Sequence, residues 1–214
     1  MNKKKVIAFD FDGTLSDSFK SLTECFHRVF KDFNVDVSDQ ELHQSLGCNE
    51  EGICRKIFGA DKFEEAFKVY LEYYKQLHDK YVTNIDPKLK DYLYSIKDKC
   101  NLILITGRHK LTTEISFEKF GTKDLFEKCY FGNNSAPNKV ENFYKAMSDY
   151  NVSSKDLIYV GDSCRDVVFA RQANIDIISA NYYHTAEPMM LEHLNPNNVA
   201  YSIDELIDML NKVL

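Results

Sequence analysis

The sequence predicts an α/β protein: a doubly wound parallel-sheet core with an inserted all-helical domain. Three observations carry this. Apolar runs of strand length recur at 6–9, 102–105, 157–160 and 175–178. Unbroken apolar runs are what strands buried on both faces require. Helical patterns separate the later runs, and strands alternating with helices build parallel sheets. Residues 16–83 break that alternation, with apolar residues at helical spacing and no strand signal of comparable strength.

In chain order, Val6, Ile7, Ala8 and Phe9 form the first strand, which Asp10 ends. Leu22, Phe26, Val29, Phe30 and Phe33 then fall at helical spacing, as do Phe63, Phe67, Tyr70, Tyr74, Leu77 and Tyr81. Their period and residue type make them helix core rather than a ligand box. Between them, Ser38-Asp-Gln-Glu41 is a capping box, and Gly47 and Gly59 are expected helix stops. Asp86-Pro87 opens the next helix, with Leu89, Leu93 and Ile96 on one face. The run at 102–105 follows. Cys129-Tyr-Phe131 is a less continuous strand candidate before the runs at 157–160 and 175–178. Val199-Ala-Tyr201 is the last strand candidate, and the capping box Ser202-Ile-Asp-Glu205 opens a helix carrying Ile203, Leu206, Ile207 and Leu210. The expected domains are 1–15 with 84–214, and the helical insertion 16–83.

A chain of 214 residues can bury roughly 70% of its unfolded surface without disulfides. A hydrophobic share of 44% with 28% charged residues excludes extensive disorder. The net charge of −6 lacks the basic footprint of a nucleic-acid or anionic-membrane binder, while a local basic pocket for a small anion stays open. No run approaches the ~20 apolar residues of a membrane span. The basic start Met1-Asn-Lys-Lys-Lys5 precedes an apolar run too short for a secretory signal, so a cytoplasmic protein is expected. Cys25, Cys48, Cys54, Cys100, Cys129 and Cys164 include no CxxC pair and are expected to be reduced thiols. The histidines show no zinc-ligand spacing.

Three of the strong runs end in polar residues and glycine: Asp10-Phe-Asp12-Gly13 after the first, Thr106-Gly107-Arg108 after the second, Gly161-Asp162-Ser163 after the third. In an open parallel sheet the carboxyl ends of the strands share one edge, where such sheets bind ligands. Asp10, Asp12, Thr106 and Asp162 should therefore converge, with Asp166 one helical turn beyond Asp162. Asp10 and Asp12 are two residues apart, so in extended chain they point the same way. Clustered carboxylates repel, so either some are protonated or a cation holds them. An all-oxygen cluster suits a hard ion, and Mg²⁺ shares phosphate oxygens readily. Taken singly, Asp10 and Asp12 could be turn formers and Asp162 a helix cap; the three matched strand ends argue against that.

Asp10-Phe-Asp12-Gly-Thr14-Leu resembles the first motif of the haloacid dehalogenase superfamily. Thr106, Lys139 and Gly161-Asp162-Ser-Cys-Arg-Asp166 resemble its other three, in order, and the resemblance covers essentially the whole chain. The insertion at 16–83 resembles that superfamily's small helical cap. Length and layout most resemble the phosphoglycolate-phosphatase-like branch. The resemblance implies a phosphatase acting on a small phosphorylated metabolite. Asp10 would be the nucleophile and Asp12 the acid and base. Asp10, Asp162 and the Asp12 backbone carbonyl would hold Mg²⁺. Thr106, Gly107 and Lys139 would bind the phosphoryl group, and Asp166 would hold Lys139 or a metal-bound water. Asp12 also favours phosphoryl transfer, because dehalogenases of the superfamily lack that second aspartate.

Two departures stand out. Lys139 is followed by Val140 where that branch commonly has proline, and Lys145 is the fallback. Asn174 stands where relatives often place glycine; asparagine tolerates the left-handed conformation needed there. Arg108 could touch substrate or lie on the surface. Asp17 and Ser18 mark the hinge into the insertion, with Asp17 an alternative helix cap. Gly47-Cys-Asn-Glu-Glu-Gly52 could face substrate. Cys164 and His184 read as bystanders. Three other activities stay open: a phosphosugar mutase, for which His27 is the nearest histidine; a phosphonate hydrolase using Lys20, Lys31, Lys56 or Lys62; and a non-catalytic binder. Oligomeric state is open.

Overall fold

The computed structural model describes residues 5–214; residues 1–4, where the basic start begins, lie outside the described residues. Six strands form one parallel sheet: β1 (Val6–Phe9), β2 (Asn101–Ile105), β3 (Lys128–Tyr130), β4 (Leu157–Gly161), β5 (Asp176–Ala180) and β6 (Val199–Ala200). Their order is β3-β2-β1-β4-β5-β6. The less continuous candidates at 129–131 and 199–201 are thus the two edge strands, where one side needs no partner and a shorter apolar run suffices.

The apolar runs are explained by burial on both faces. All four residues of β1 have zero exposure. Ile7 and Phe9 pack with α5 (Pro87–Ile96), α6 (Lys110–Phe120) and α10 (Ile203–Val213) through Leu93, Phe117 and Leu206. Val6 and Ala8 face the opposite layer of α7 (Lys139–Asp149), α8 (Cys164–Gln172) and α9 (Pro188–Leu194) through Phe143, Val167 and Leu191. Each fully buried large aliphatic or aromatic side chain contributes roughly 1.5–3 kcal/mol.

Between β1 and α5 the chain is helical: α1 (Phe19–Asp32), α2 (Asp39–Ser45), α3 (Glu50–Phe58) and α4 (Phe63–Tyr81). Most of the aromatic stripes are buried as helix core, with Phe26 tilted against Tyr70 and Phe30 against Phe58. Ser38 and Glu41 form the reciprocal capping box of α2. Gly59 ends α3 at φ +73°, and Asn174 takes φ +56° after α8. The helix start at Ser202 differs from expectation: Ser202 accepts from Glu205 N–H, but the Glu205 carboxylate accepts from Tyr201 N–H instead of closing back on Ser202. The two chain crossings beside β1 run together: Ser16 Oγ donates to Thr83 O at 2.7 Å, Asp17 N–H to Thr83 Oγ1 at 2.9 Å, and Thr83 N–H to Asp17 O at 3.1 Å. Ser18, not Asp17, is the N-cap position of α1. Among the described residues no helix is long and apolar enough to cross a membrane.

Candidate active site

The site lies where the strand order reverses, between the carboxyl ends of β1 and β4. Asp10 N–H donates to Val160 O at 2.8 Å, so the residue after β1 is still pinned to β4. One strand end thereby sets Asp10 beside Asp162, which follows β4. Gly13 makes the approach possible: at φ +71°, a Cβ there would lie 2.2 Å from Asp162 Oδ2. Ligand atoms of Asp10, Asp162 and Asp166 all lie within 4.8 Å of one another, and all three side chains are buried. Lys139, at the start of α7, donates to Asp10 Oδ2 at 2.5 Å and also to Asp166 Oδ1. Asp166 is further held by Ser163 in a capping box opening α8.

These surroundings split three chemically equal carboxyls. Burial pushes Asp10 up to about 6, against the pull of Lys139. Burial and its acidic neighbours push Asp162 well above the usual carboxylate range. Burial opposes ionisation of Asp166 too, but Lys139 and the Ser163 hydrogen bonds outweigh it and hold that carboxyl low. Lys139 loses solvation, yet the two aspartates keep its ammonium firmly charged. Asp162 Oδ2 is buried without a hydrogen bond. An unpaired buried carboxylate oxygen facing two others is a cation-shaped demand.

Asp12 stands apart from that cluster. Its Oδ1 accepts from Arg108 Nη1 at 3.0 Å and from Ser18 Oγ. Arg108 is therefore neither a surface residue nor a free contact. It is 5% exposed, its guanidinium lies 4.2 Å over the Phe11 ring, and its Nη2 donates to the Tyr74 hydroxyl of α4.

A cavity of about 410 Å³ opens between this edge and the helices that precede α5. Asp10, Asp12, Gly107, Lys139 and Asp162 line its floor; Phe19, Leu22, Leu46, Gly47 and Ile53 line its roof. The segment 47–52 faces the cavity and is sewn to the floor. Asn49 N–H donates to Asn133 O and its Nδ2 to Gly132 O, both at 2.9 Å. Glu50, 4% exposed, accepts from His109 N–H at 2.6 Å and Thr112 Oγ1 at 2.7 Å, at the start of α6 where helix N–H groups favour a carboxylate. Gly52 lies against the loop after β3, where a Cβ would come within 2.4 Å of Asn134 O.

The structure thus gathers Asp10, Asp12, Gly107, Arg108, Lys139, Asp162, Asp166 and Gly47. Thr106 sits at the strand end but is fully buried, its Oγ1 accepting from Arg108 N–H at 3.3 Å. Lys145 lies on the exposed face of α7. Asp17, Lys20 and His184 line a second cavity of about 470 Å³ that shares Phe19 and Leu22 with the first. His27 is remote, paired with Asp39 at 2.7 Å. Glu50 lies in the segment 47–52 that the sequence offered as substrate-facing, but its pairing with α6 was not foreseen, nor was any role for Tyr74. Glu50 is one of several acidic residues in its segment, and Tyr74 belongs to a core stripe; neither carries a local mark of its partner on α6 or in the loop after β2.

The haloacid dehalogenase-like hydrolase family matches residues 7–180. The chain belongs to this family. The hydrolase is 27% identical over 197 residues to a phosphoglycolate phosphatase of Colwellia psychrerythraea, covering 85% of this chain and 86% of that one. It is 23% identical to the pyrophosphatase PpaX of Oceanobacillus iheyensis, covering 95% of each. Its fold resembles that of a predicted phosphoglycolate phosphatase from Haemophilus somnus, with TM-score 0.78, 20% identity and full coverage of both chains. The superfamily and the phosphoglycolate-phosphatase-like branch both agree with the motif reading of this hydrolase.

Proposed function

We propose that the protein is a Mg²⁺-dependent phosphomonoesterase that hydrolyses a small organic phosphate through an aspartyl-phosphate. The observation that carries this is the division of labour on the cavity floor: Asp10 held by Lys139 in one cluster, Asp12 held separately by Arg108. An Asp10 oxygen attacks phosphorus and the ester P–O bond breaks. Asp12 gives its proton to the departing oxygen, releasing an alcohol. Water then attacks the aspartyl-phosphate, Asp12 takes the water's proton, and inorganic phosphate leaves with Asp10 restored. Lys139 neutralises charge on Asp10 and the phosphoryl oxygens. Thr106 accepts from Arg108 N–H, which leaves its own proton for a phosphoryl oxygen at the strand end, and the next residue, Gly107, lines the cavity. Asp166 holds Lys139 in position.

The unpaired Asp162 oxygen and the Asp10 carboxylate fit a divalent cation, with the Asp12 backbone carbonyl as a third ligand. When bound, Mg²⁺ supplies positive charge that offsets repulsion between Asp10 and a phosphate dianion. Residues 16–83 act as a cap, and a 410 Å³ cavity under them admits a small metabolite rather than a polymer. The relatives' names point toward a phosphoglycolate-like ester or pyrophosphate. Among the described residues Lys139 is the one lysine lining the cavity, which weighs against the phosphonate hydrolase reading; His27 lies outside the cavity, but His43 lines it.

The test is phosphate release from a panel of small esters with and without Mg²⁺. Metal-dependent release by the wild type, lost at least 10³-fold in Asp10→Asn, is expected. Wild-type turnover retained in Asp10→Asn overturns the assignment.

A further inference from the structure

Asp12 is held by a chain of hydrogen bonds that leaves the sheet edge altogether. Arginine only donates, so the Tyr74 hydroxyl must accept from Arg108 Nη2. The Tyr74 proton then points to Ser116 Oγ on α6, at 2.7 Å. Ser116 Oγ lies 3.1 Å from His78 Nε2, and His78 Nδ1 lies 3.2 Å from Asp79 Oδ1. With a neutral imidazole carrying its proton on Nδ1, the links can all run one way, Arg108 to Tyr74 to Ser116 to His78 to Asp79, with Thr112 O at 3.2 Å a second acceptor for the Ser116 proton. Burial of His78 favours the neutral ring. Lys119 closes the far end, 2.6 Å from Asp79.

Both hydrogen bonds to the Asp12 carboxylate fall on Oδ1: Arg108 from one side, Ser18 at the start of α1 from the other. Oδ2 is therefore the oxygen left to exchange a proton in the cavity that Asp12 lines. Tyr74 is carried by α4, on the far side of the hinge pairing at Thr83. The same guanidinium is packed on Phe11, beside Asp12 in the chain. Arg108 thus has one fixed support on the floor and one that arrives only with α4.

We infer that Arg108 and Tyr74 are positioning residues that aim Asp12 Oδ2 at the substrate only while α4 is seated on the sheet layer. The inference rests on the proposed role of Asp12 as acid. It gives α4 a part in chemistry distinct from enclosing the substrate, because the geometry of the proton donor then depends on a helix that touches no reacting atom.

Leaving-group dependence separates this from plain structural support. An alkoxide needs the acid, whereas p-nitrophenolate leaves without one. Kinetics of Tyr74→Phe, Arg108→Lys and Asp12→Ala are measured on glycerol phosphate and p-nitrophenyl phosphate, with thermal melts to establish folding. The expected result is a fall of about tenfold in the ratio of kcat/KM for glycerol phosphate to kcat/KM for p-nitrophenyl phosphate in both positioning variants; kcat/KM is the measure because it stops at leaving-group departure and excludes the later hydrolysis that Asp12 also serves. That is a fraction of the ~10²–10⁴ that general acid catalysis supplies. Asp12→Ala should lower the ratio further. An unchanged ratio in Tyr74→Phe and Arg108→Lys, with the Asp12→Ala ratio lowered, overturns the inference alone. An unchanged ratio in Asp12→Ala overturns the assignment of the acid and this inference with it. If Tyr74→Phe fails to fold, Arg108→Lys decides by the same ratio.

Discussion

At the scale of single residues, the cavity floor holds more negative charge than it can neutralise. Asp10 and Asp166 share one ammonium, and Asp162 has none. A carboxyl whose native pKa is raised costs nothing below the ordinary value near 4, and its penalty grows as pH rises through the shifted one. In chelator at pH 7, Asp162→Asn should therefore stabilise the protein, by roughly 1–2 kcal/mol or about 2–8 °C in Tm. The gain should vanish near pH 4, where both proteins are uncharged at this position. The same substitution should abolish the rise in Tm on adding Mg²⁺, since a ligand stabilises only the state that binds it. Scanning calorimetry at pH 4 and 7, with and without cation, checks all three; a destabilised variant at pH 7 in chelator would mean the carboxylate has a partner.

At the scale of elements, α3 and α6 show how function can erase a sequence signal. Helix α6 buries Thr112, Thr113 and Ser116 where an amphipathic helix would put aliphatics. The Thr112 and Ser116 hydroxyls meet Glu50, Tyr74 and His78, so the polar inner face that hides the helix from pattern reading is also its link to the preceding helices. Helix α3 depends on a glycine for a different reason. Gly52→Ala should strengthen the isolated helix by up to ~1 kcal/mol, yet its Cβ cannot coexist with Asn134 O at 2.4 Å. The segment carrying Asn49 and Glu50 must then lift from the floor. The expected outcome is kcat/KM reduced by about tenfold or more with Tm within a few degrees of wild type, read from steady-state kinetics and a melt. Unimpaired kinetics would show that this contact is not needed for turnover.

At the scale of the molecule, one buried cluster joins the sheet to the helices before α5: Phe11 and Phe120 are in it, and so are Phe26, Tyr70 and Tyr74. With no apolar boundary between the two parts, far-ultraviolet and tyrosine near-ultraviolet signals should melt together in a single transition. Two separated transitions would contradict this continuity. What was legible in the sequence follows the same logic. Strands buried on both faces advertise themselves, and their polar ends placed Asp10, Asp12 and Asp162 at one edge because the sheet order leaves them nowhere else. Lys139 was legible from chain position, by preceding the helix whose next strand carries Asp162. Glu50, Ser116 and the bond between Tyr74 and Arg108 were not, because each pairs segments far apart in the chain by side-chain geometry alone.

The strand order has a further consequence, in the time domain. Strand β1 is made first, yet Val6 finds its partners only at Asn101 and Leu157. At the ~5–20 residues per second of translation, the central strand waits on the order of 5–20 s for its first neighbour to be synthesised. Throughout that interval a fully apolar strand has no sheet to join, while the residues of α1 to α4 emerge after it. The insertion that later roofs the cavity is the first cover available to the strand that will bear Asp10.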